Sequence, residues 1–97
     1  MYKLRHLPSA IVDAEEIEAG LSEFSISAAD KFAESVSQKT DALIDNPYLY
    51  RVYQARPYFR CMPLPYEYLC FYHVDEDSKT VSIHRIIHGM RDIPRKL

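Results

Sequence analysis

Residues 66–92 read YEYLCFYHVDEDSKTVSIHRIIHGMRD. Two runs rich in aromatic and β-branched residues, Tyr66–Val74 and Thr80–Gly89, flank the polar segment Asp75-Glu76-Asp77-Ser78-Lys79. Such side chains suit a pleated, half-buried surface, and a short charged link between two such runs reads as a hairpin loop. A third run, Tyr58–Pro63, comes just before them. The second half of the chain is therefore expected to form an antiparallel three-strand meander.

Upstream the pattern changes. Tyr2–His6 alternates and reads as a short first strand. Pro8-Ser9 punctuates, and Ser9 is placed to cap a helix from Ala10 to about Leu21. Ala10, Ala14, Ile17, Leu21 and Phe24 recur at spacings of four and three, which puts them on one stripe. Glu15, Glu16, Glu18 and Glu23 lie mostly off it. Ser27, with Asp30 three positions on, is expected to open a second helix whose buried face is Phe32, Val36, Leu43 and Ile44. Asn46-Pro47 ends it, because the residue before a proline avoids the helical region. The short link between the helices predicts an antiparallel hairpin. Residues 47–57 (PYLYRVYQARP) form a Tyr-rich connection to the strands.

The order is β-α-α-β-β-β. Helices placed before a meander argue an α+β fold, with the helical hairpin on one face of a small antiparallel sheet. Few elements remain for the opposite face, which marks it as a surface for a partner.

Ninety-seven residues suit a single domain spanning 1–97. Apolar residues at 47% and charged residues at 27% are ordinary for a soluble globular chain. The opening MYKLRHLPSA has no apolar core of a signal peptide, and no run approaches the roughly 18 apolar residues of a membrane span. A cytoplasmic protein without membrane contact is expected. Cys61 and Cys70 have no CxxC or Cys/His ligand spacing, so no metal or other cofactor is expected, and free thiols fit a reducing compartment. Net charge is −2, but residues 1–49 carry −5 and residues 50–97 carry +3. This asymmetry suits an anionic partner for the second half, although solvated acidic helix faces account for the first half equally simply.

The opening YKLRHLPSAIVDAEEIEAGL, the Asn46-Pro47-Tyr48 end of the second helix and the whole 66–92 stretch together resemble the RelE/ParE superfamily of bacterial toxins. The resemblance spans nearly the whole chain. It implies the toxin of a type II toxin–antitoxin pair of the plasmid-stabilization kind, arresting growth and neutralised by a cognate antitoxin. Such antitoxins wrap an amphipathic segment on the toxin, in the manner of a helix in a groove or an added edge strand. RelE-like members act on the ribosome and cut mRNA in the A site. ParE-like members bind DNA gyrase and stall it.

RNA cleavage needs charge neutralisation at the phosphate and a proton acceptor near the 2′-hydroxyl. Arg91 matches one arginine of the nuclease members, but the position of a second is Leu69, and the tail IPRKL has neither Tyr nor His. Substitutes for a nuclease would be His84 and His88, spaced by four and so expected on one strand face, with Arg60 and Tyr68 nearby. A histidine that merely fits its sheet is the commoner outcome. Arg85, alternating with Ile83 and Ile87, is expected to snorkel from the core edge or to pair with Glu67. The string His88-Gly89-Met90-Arg91-Asp92 looks more like ParE-type members, with Gly89 permitting a tight exit from the strand. On that branch Arg85, Arg91, Arg95, Lys96 and Tyr68 are the expected target-binding residues. The tyrosines between Tyr48 and Tyr72 are expected to cover the core edge where the connection crosses the sheet, with a protein interface as the second choice.

Overall fold

A computed structural model describes residues 1–89 and residue 97. The elements are β1 (Lys3–His6), α1 (Pro8–Ser22), α2 (Ile26–Ala42), β2 (Arg60–Pro63), β3 (Tyr68–Asp75) and β4 (Thr80–His88). A single 3-10 turn, Pro65–Glu67, joins β2 to β3. The sheet order is β1-β4-β3-β2. The β2-β3-β4 meander is antiparallel, as its short links require. β1 joins its far edge in parallel with β4, Lys3 opposite Thr80 through His6 opposite Ile83, so the whole sheet is mixed.

The helix ends show local chemistry at work. Pro8 sits in the first turn of α1, where its missing N–H costs nothing. Ser9 does not cap; its Oγ donates to the carbonyl of His84 at 2.7 Å. α2 is capped by Ser25, whose Oγ accepts from the Ala28 N–H at 3.1 Å, two residues earlier than the expected Ser27. The chain turns sharply after α1, with the Ser25 N–H on the Leu21 carbonyl, and this leaves Ser25 extended at φ −164° and free to cap. α2 ends at Ala42, and turn hydrogen bonds carry the chain on to Asn46.

The two helices cover one face of the sheet. Between the layers lie Phe32, Leu43, Met62, Cys70, Tyr72, Val81, Ile83 and Ile86, all buried. Each apolar side chain sealed there contributes about 1.5–3 kcal/mol. Tyr72 keeps its hydroxyl satisfied by donating to the Pro47 carbonyl at 2.9 Å, and burial pushes its pKa up to about 12. A guanidinium N–H of Arg60 donates to the Tyr50 carbonyl at 2.8 Å, and its plane lies over the Tyr48 ring. These two contacts anchor the tyrosine-rich connection on the helix side of the sheet. Tyr53 and Phe59, farther along it, pack instead against Phe71 and Ile87 on the outer face.

β4 carries one more residue than β3 can match. Phe71 faces Arg85 and the next residue, Tyr72, faces Ile83, so His84 is the extra residue of a bulge. β1 stops at His6 opposite Ile83 and pairs no further. Beyond that point α1 takes over the edge of β4. Ser9 holds the His84 carbonyl, and Asp13, one turn later, accepts the Ile86 N–H at 3.0 Å. The same carboxylate grips Arg85 with both oxygens, 2.7 Å to Nε and 3.0 Å to Nη2. Asp13 is buried, and its three accepted bonds are what make burial tolerable. Replacing Asp13 by Ala should lower unfolding free energy by about 2–3 kcal/mol, because the Ile86 N–H and the Arg85 guanidinium both lose their acceptor. Urea unfolding with an unchanged slope would measure this; a loss under about 0.5 kcal/mol would show that the bulge holds without Asp13.

Candidate functional site

Regular alternation along β4 would put residues 84 and 88 on one face. The bulge breaks it. Ile83 and Ile86 both belong to the helix-side core, whereas Ile87 belongs to the outer cluster with Phe59 and Phe71. His84 contacts the rings of Tyr58 and Phe59 on the outer face, at 5.7 and 5.1 Å between centroids. His88 lies on the helix side, edge-on to Tyr68 at 5.2 Å. The expectation that the two histidines share a face is therefore corrected, and the extra residue in β4 is the reason. Arg60 is likewise apart from both. It pairs with Tyr72, four residues or about 13 Å along β3 from the Tyr68–His88 pair.

Arg85 is committed to Asp13 and not to Glu67. The hydrogen bond to Asp13 holds its guanidinium even more firmly protonated than usual. Glu67 instead lies 3.8 Å from His88. Tyr68, the other described residue expected at a target surface, packs edge-on against Phe32 at 5.5 Å, with its ring in the helix-side core. Arg91, Arg95 and Lys96 lie outside the described residues.

Concave regions lie at both ends of the sheet among the described residues. The first is a cleft of about 280 Å³ between the C-terminal half of α1 and the end of β4. Ile17, Leu21, Tyr68 and Ile86 line it with apolar surface, the Asp13–Arg85 pair lies at one end, and Glu16 and Glu23 give it an acidic rim. Phe24 stands at its mouth 89% exposed, and Ile26 follows at 72%. Phe24 was expected on the buried stripe of α1; the helix ends at Ser22, so the stripe's last member falls past the turn and into solvent. The second region is a hollow of about 600 Å³ on the outer face, at the opposite end of the sheet. It joins residues of β1, β3 and β4 with Tyr58. His73 of β3 is among them, and it was missed in the sequence because nothing in strand spacing links it to His84 or Arg5.

The end of β4 is tightly built. The Gly89 N–H donates to the Glu67 carbonyl at 2.8 Å. A Cβ on Gly89 would sit 3.1 Å from the Leu69 Cδ1 and 3.2 Å from that carbonyl, so a glycine suits this crowded strand end; the exit from the strand that follows lies outside the described residues. Tyr66 and Glu67 both hold left-handed backbone, φ 64° and 66°, which is strained for residues with a Cβ. Leu69, where the nuclease pattern has an arginine, packs on the outer apolar cluster of Phe59, Phe71 and Ile87. Among the described residues no group of three His, Cys, Asp or Glu could hold a metal ion, and no helix is long and apolar enough to cross a membrane.

The sequence matches the family model described as ParE toxin of type II toxin–antitoxin system, parDE, over residues 4–93. Eleven chains of solved structures also match. One of them, from the chromosomal ParDE TA system of P. aeruginosa, has a TM-score of 0.75 at 20% identity, covering 91% of this chain and 96% of that one. At that identity the likeness speaks for the fold. No curated protein sequence matches.

Because His84 and His88 sit on opposite faces, their contributions to stability should be independent. The double exchange to Ala should cost the sum of the two single exchanges within about 0.5 kcal/mol in a double-mutant cycle. A larger coupling would mean that the two rings share one site after all.

Proposed function

The chain belongs to the ParE toxin family and is the toxin of a type II toxin–antitoxin system; on that premise we propose that it arrests growth by binding DNA gyrase and is neutralised by a cognate antitoxin. The observation that carries this reading is the family match over residues 4–93. The placement of the substitute nuclease groups supports it. An mRNA endonuclease needs its acid, base and phosphate-neutralising groups within reach of one phosphodiester. Here His84, His88 and Arg60 stand in three separate places, and an apolar leucine occupies the position of the second arginine. Gyrase binding asks only for a complementary surface, which the basic residues Arg91, Arg95 and Lys96 would supply. Arg85, held by Asp13, would act on that surface as a fixed charge.

The antitoxin's amphipathic segment is assigned to the cleft beside α1. Phe24 is an exposed apolar anchor at its mouth, with exposed Ile26 two residues on in the chain, and the lining of Ile17, Leu21 and Ile86 accepts apolar side chains at helical spacing. The Glu16 and Glu23 carboxylates on the rim favour basic residues flanking those anchors.

Induction of this chain without its antitoxin should arrest growth with filamentation and DNA-damage signalling, and Arg91→Ala should abolish the arrest. Cleavage of translated mRNA in the A site, seen by primer extension, would replace gyrase by the ribosome as target and make the chain an endoribonuclease. The His84→Ala, His88→Ala double variant should remain toxic against gyrase. Phe24→Glu should weaken antitoxin binding by at least about tenfold, as loss of an interface anchor does, while leaving toxicity intact. Unchanged antitoxin affinity in that variant would move the antitoxin site elsewhere on the surface.

A further inference from the structure

The hollow on the outer sheet face is not used by the reading above, and its chemistry differs from the rest of the chain. On β1, Lys3 and Arg5 are alternate, exposed residues on the face away from the helices, while Leu4 between them packs on the core. On β4 Lys3 lies opposite Thr80 and Arg5 opposite Ser82, and His84 of β4 and His73 of β3 line the same hollow. Tyr58 closes the hollow from the connection. Its ring stacks on His73 at 3.8 Å between centroids and 6° between planes. The protein carries a net −2, yet this hollow gathers two permanent cations and two imidazoles. The one carboxylate lining it, Asp75, is engaged by the backbone N–H groups of Asp77 and Ser78 at 3.0 and 3.4 Å.

We propose that this hollow is a binding site for a phosphate-bearing anion, held between Arg5, His73, Ser82 and His84. Geometry supplies the donors. A carbonyl oxygen only accepts, so the 2.9 Å contact from His73 Nδ1 to the Tyr58 carbonyl places the ring proton on Nδ1. Nε2 then becomes a donor only when the ring is protonated. Ser82 adds a hydroxyl, and Arg5 adds a planar fork suited to two phosphate oxygens. Arg5 and the two imidazoles line one hollow, so a proton added to His84 meets like charge there. The His84 pKa is lowered by burial first, then by His73 and by Arg5. A bound anion removes that repulsion and raises the His84 pKa again, so by linkage binding must strengthen as the pH falls. Asp75 opposes the anion, and Lys3 offsets it at the rim. A volume of about 600 Å³ accommodates a nucleotide as readily as inorganic phosphate. The site lies at the far end of β3 from Leu69, so it does not coincide with the position at which nuclease-type relatives carry their arginine.

The test uses the full chain, titrated with sodium sulfate, inorganic phosphate, adenosine monophosphate and a short single-stranded oligoribonucleotide. Imidazole resonances of His73 and His84 are followed by NMR at pH about 6 and about 8, and affinity is read by calorimetry. Sulfate keeps its charge across this range, so any pH dependence of sulfate binding belongs to the protein. Both imidazoles should shift, the His84 titration midpoint should rise on saturation, and affinity should gain up to about tenfold per pH unit for each histidine that takes up a proton. Arg5→Ala and His84→Gln should each weaken binding by at least about fivefold, whereas Lys31→Ala on the exposed side of α2 should not change it. Equal affinity for phosphate and the nucleotide would identify a free oxyanion as the ligand. Tighter binding of the mononucleotide would identify a nucleotide, and tighter binding of the oligoribonucleotide a nucleic-acid backbone. Absence of imidazole shifts with every anion, the same sulfate affinity at both pH values, or wild-type affinity in Arg5→Ala would each overturn the proposal. None of these outcomes depends on whether gyrase is the target.

Discussion

A single buried carboxylate sets the geometry of this molecule. Asp13 accepts three hydrogen bonds from two consecutive residues of β4, two from the Arg85 guanidinium and one from the Ile86 backbone. β4 lies inside the sheet for its first half, between β3 and β1, but β1 is only four residues long. Past Ile83 the pairing with β1 ends, and the backbone groups on that side need other partners. α1 provides them with side chains one turn apart, Ser9 for a carbonyl and Asp13 for an N–H. Because the partner is a helix and not a strand, β4 is free to bulge there, and the bulge decides which face every later side chain occupies.

That decision has functional weight. Without the bulge, His88 would share the outer face with His84, and Ile87 would join Ile83 in the helix-side core. With it, Ile86 completes the inner core, and Ile87 turns outward to join Phe59 and Phe71. The outer face is thereby split. One end is an apolar patch covered by Tyr53 and Phe59 from the connection. The other end is the open polar hollow with His84, His73 and Arg5. The helix side receives His88, beside Tyr68 and near the acidic-rimmed cleft. Three surfaces of different chemistry thus arise around one shifted register.

Local patterns carried much of the fold. The charged Asp75–Lys79 loop between two β-branched runs determined the hairpin, and Asp75 does cap that turn with its carboxylate. The apolar stripe of Ala10, Ala14, Ile17 and Leu21 does face the core. Errors were of one kind. A serine before an apolar run usually caps a helix, but Ser9 is drawn to the His84 carbonyl 75 residues away, and the tight turn after α1 hands the α2 cap to Ser25 in place of Ser27. Glu67 was a reasonable partner for Arg85 by sequence distance. Asp13 is 72 residues from Arg85, and nothing local reveals that it reaches β4.

By itself, then, the sequence determined the order of elements, the meander, the helical hairpin and, through motifs spread over the chain, the toxin family. These follow from short-range periodicity, turn chemistry and residue identities at fixed spacing, all of which are properties of neighbouring residues. Only the tertiary structure decided that β1 runs parallel to β4, that β4 bulges at His84, and which side chains meet on each face. A bulge leaves no periodic mark, because one inserted residue reverses the faces without altering composition or hydrophobicity. Here it lies where β1 has ended and the remote Asp13 carboxylate takes up the Ile86 backbone N–H at the uncovered edge of β4.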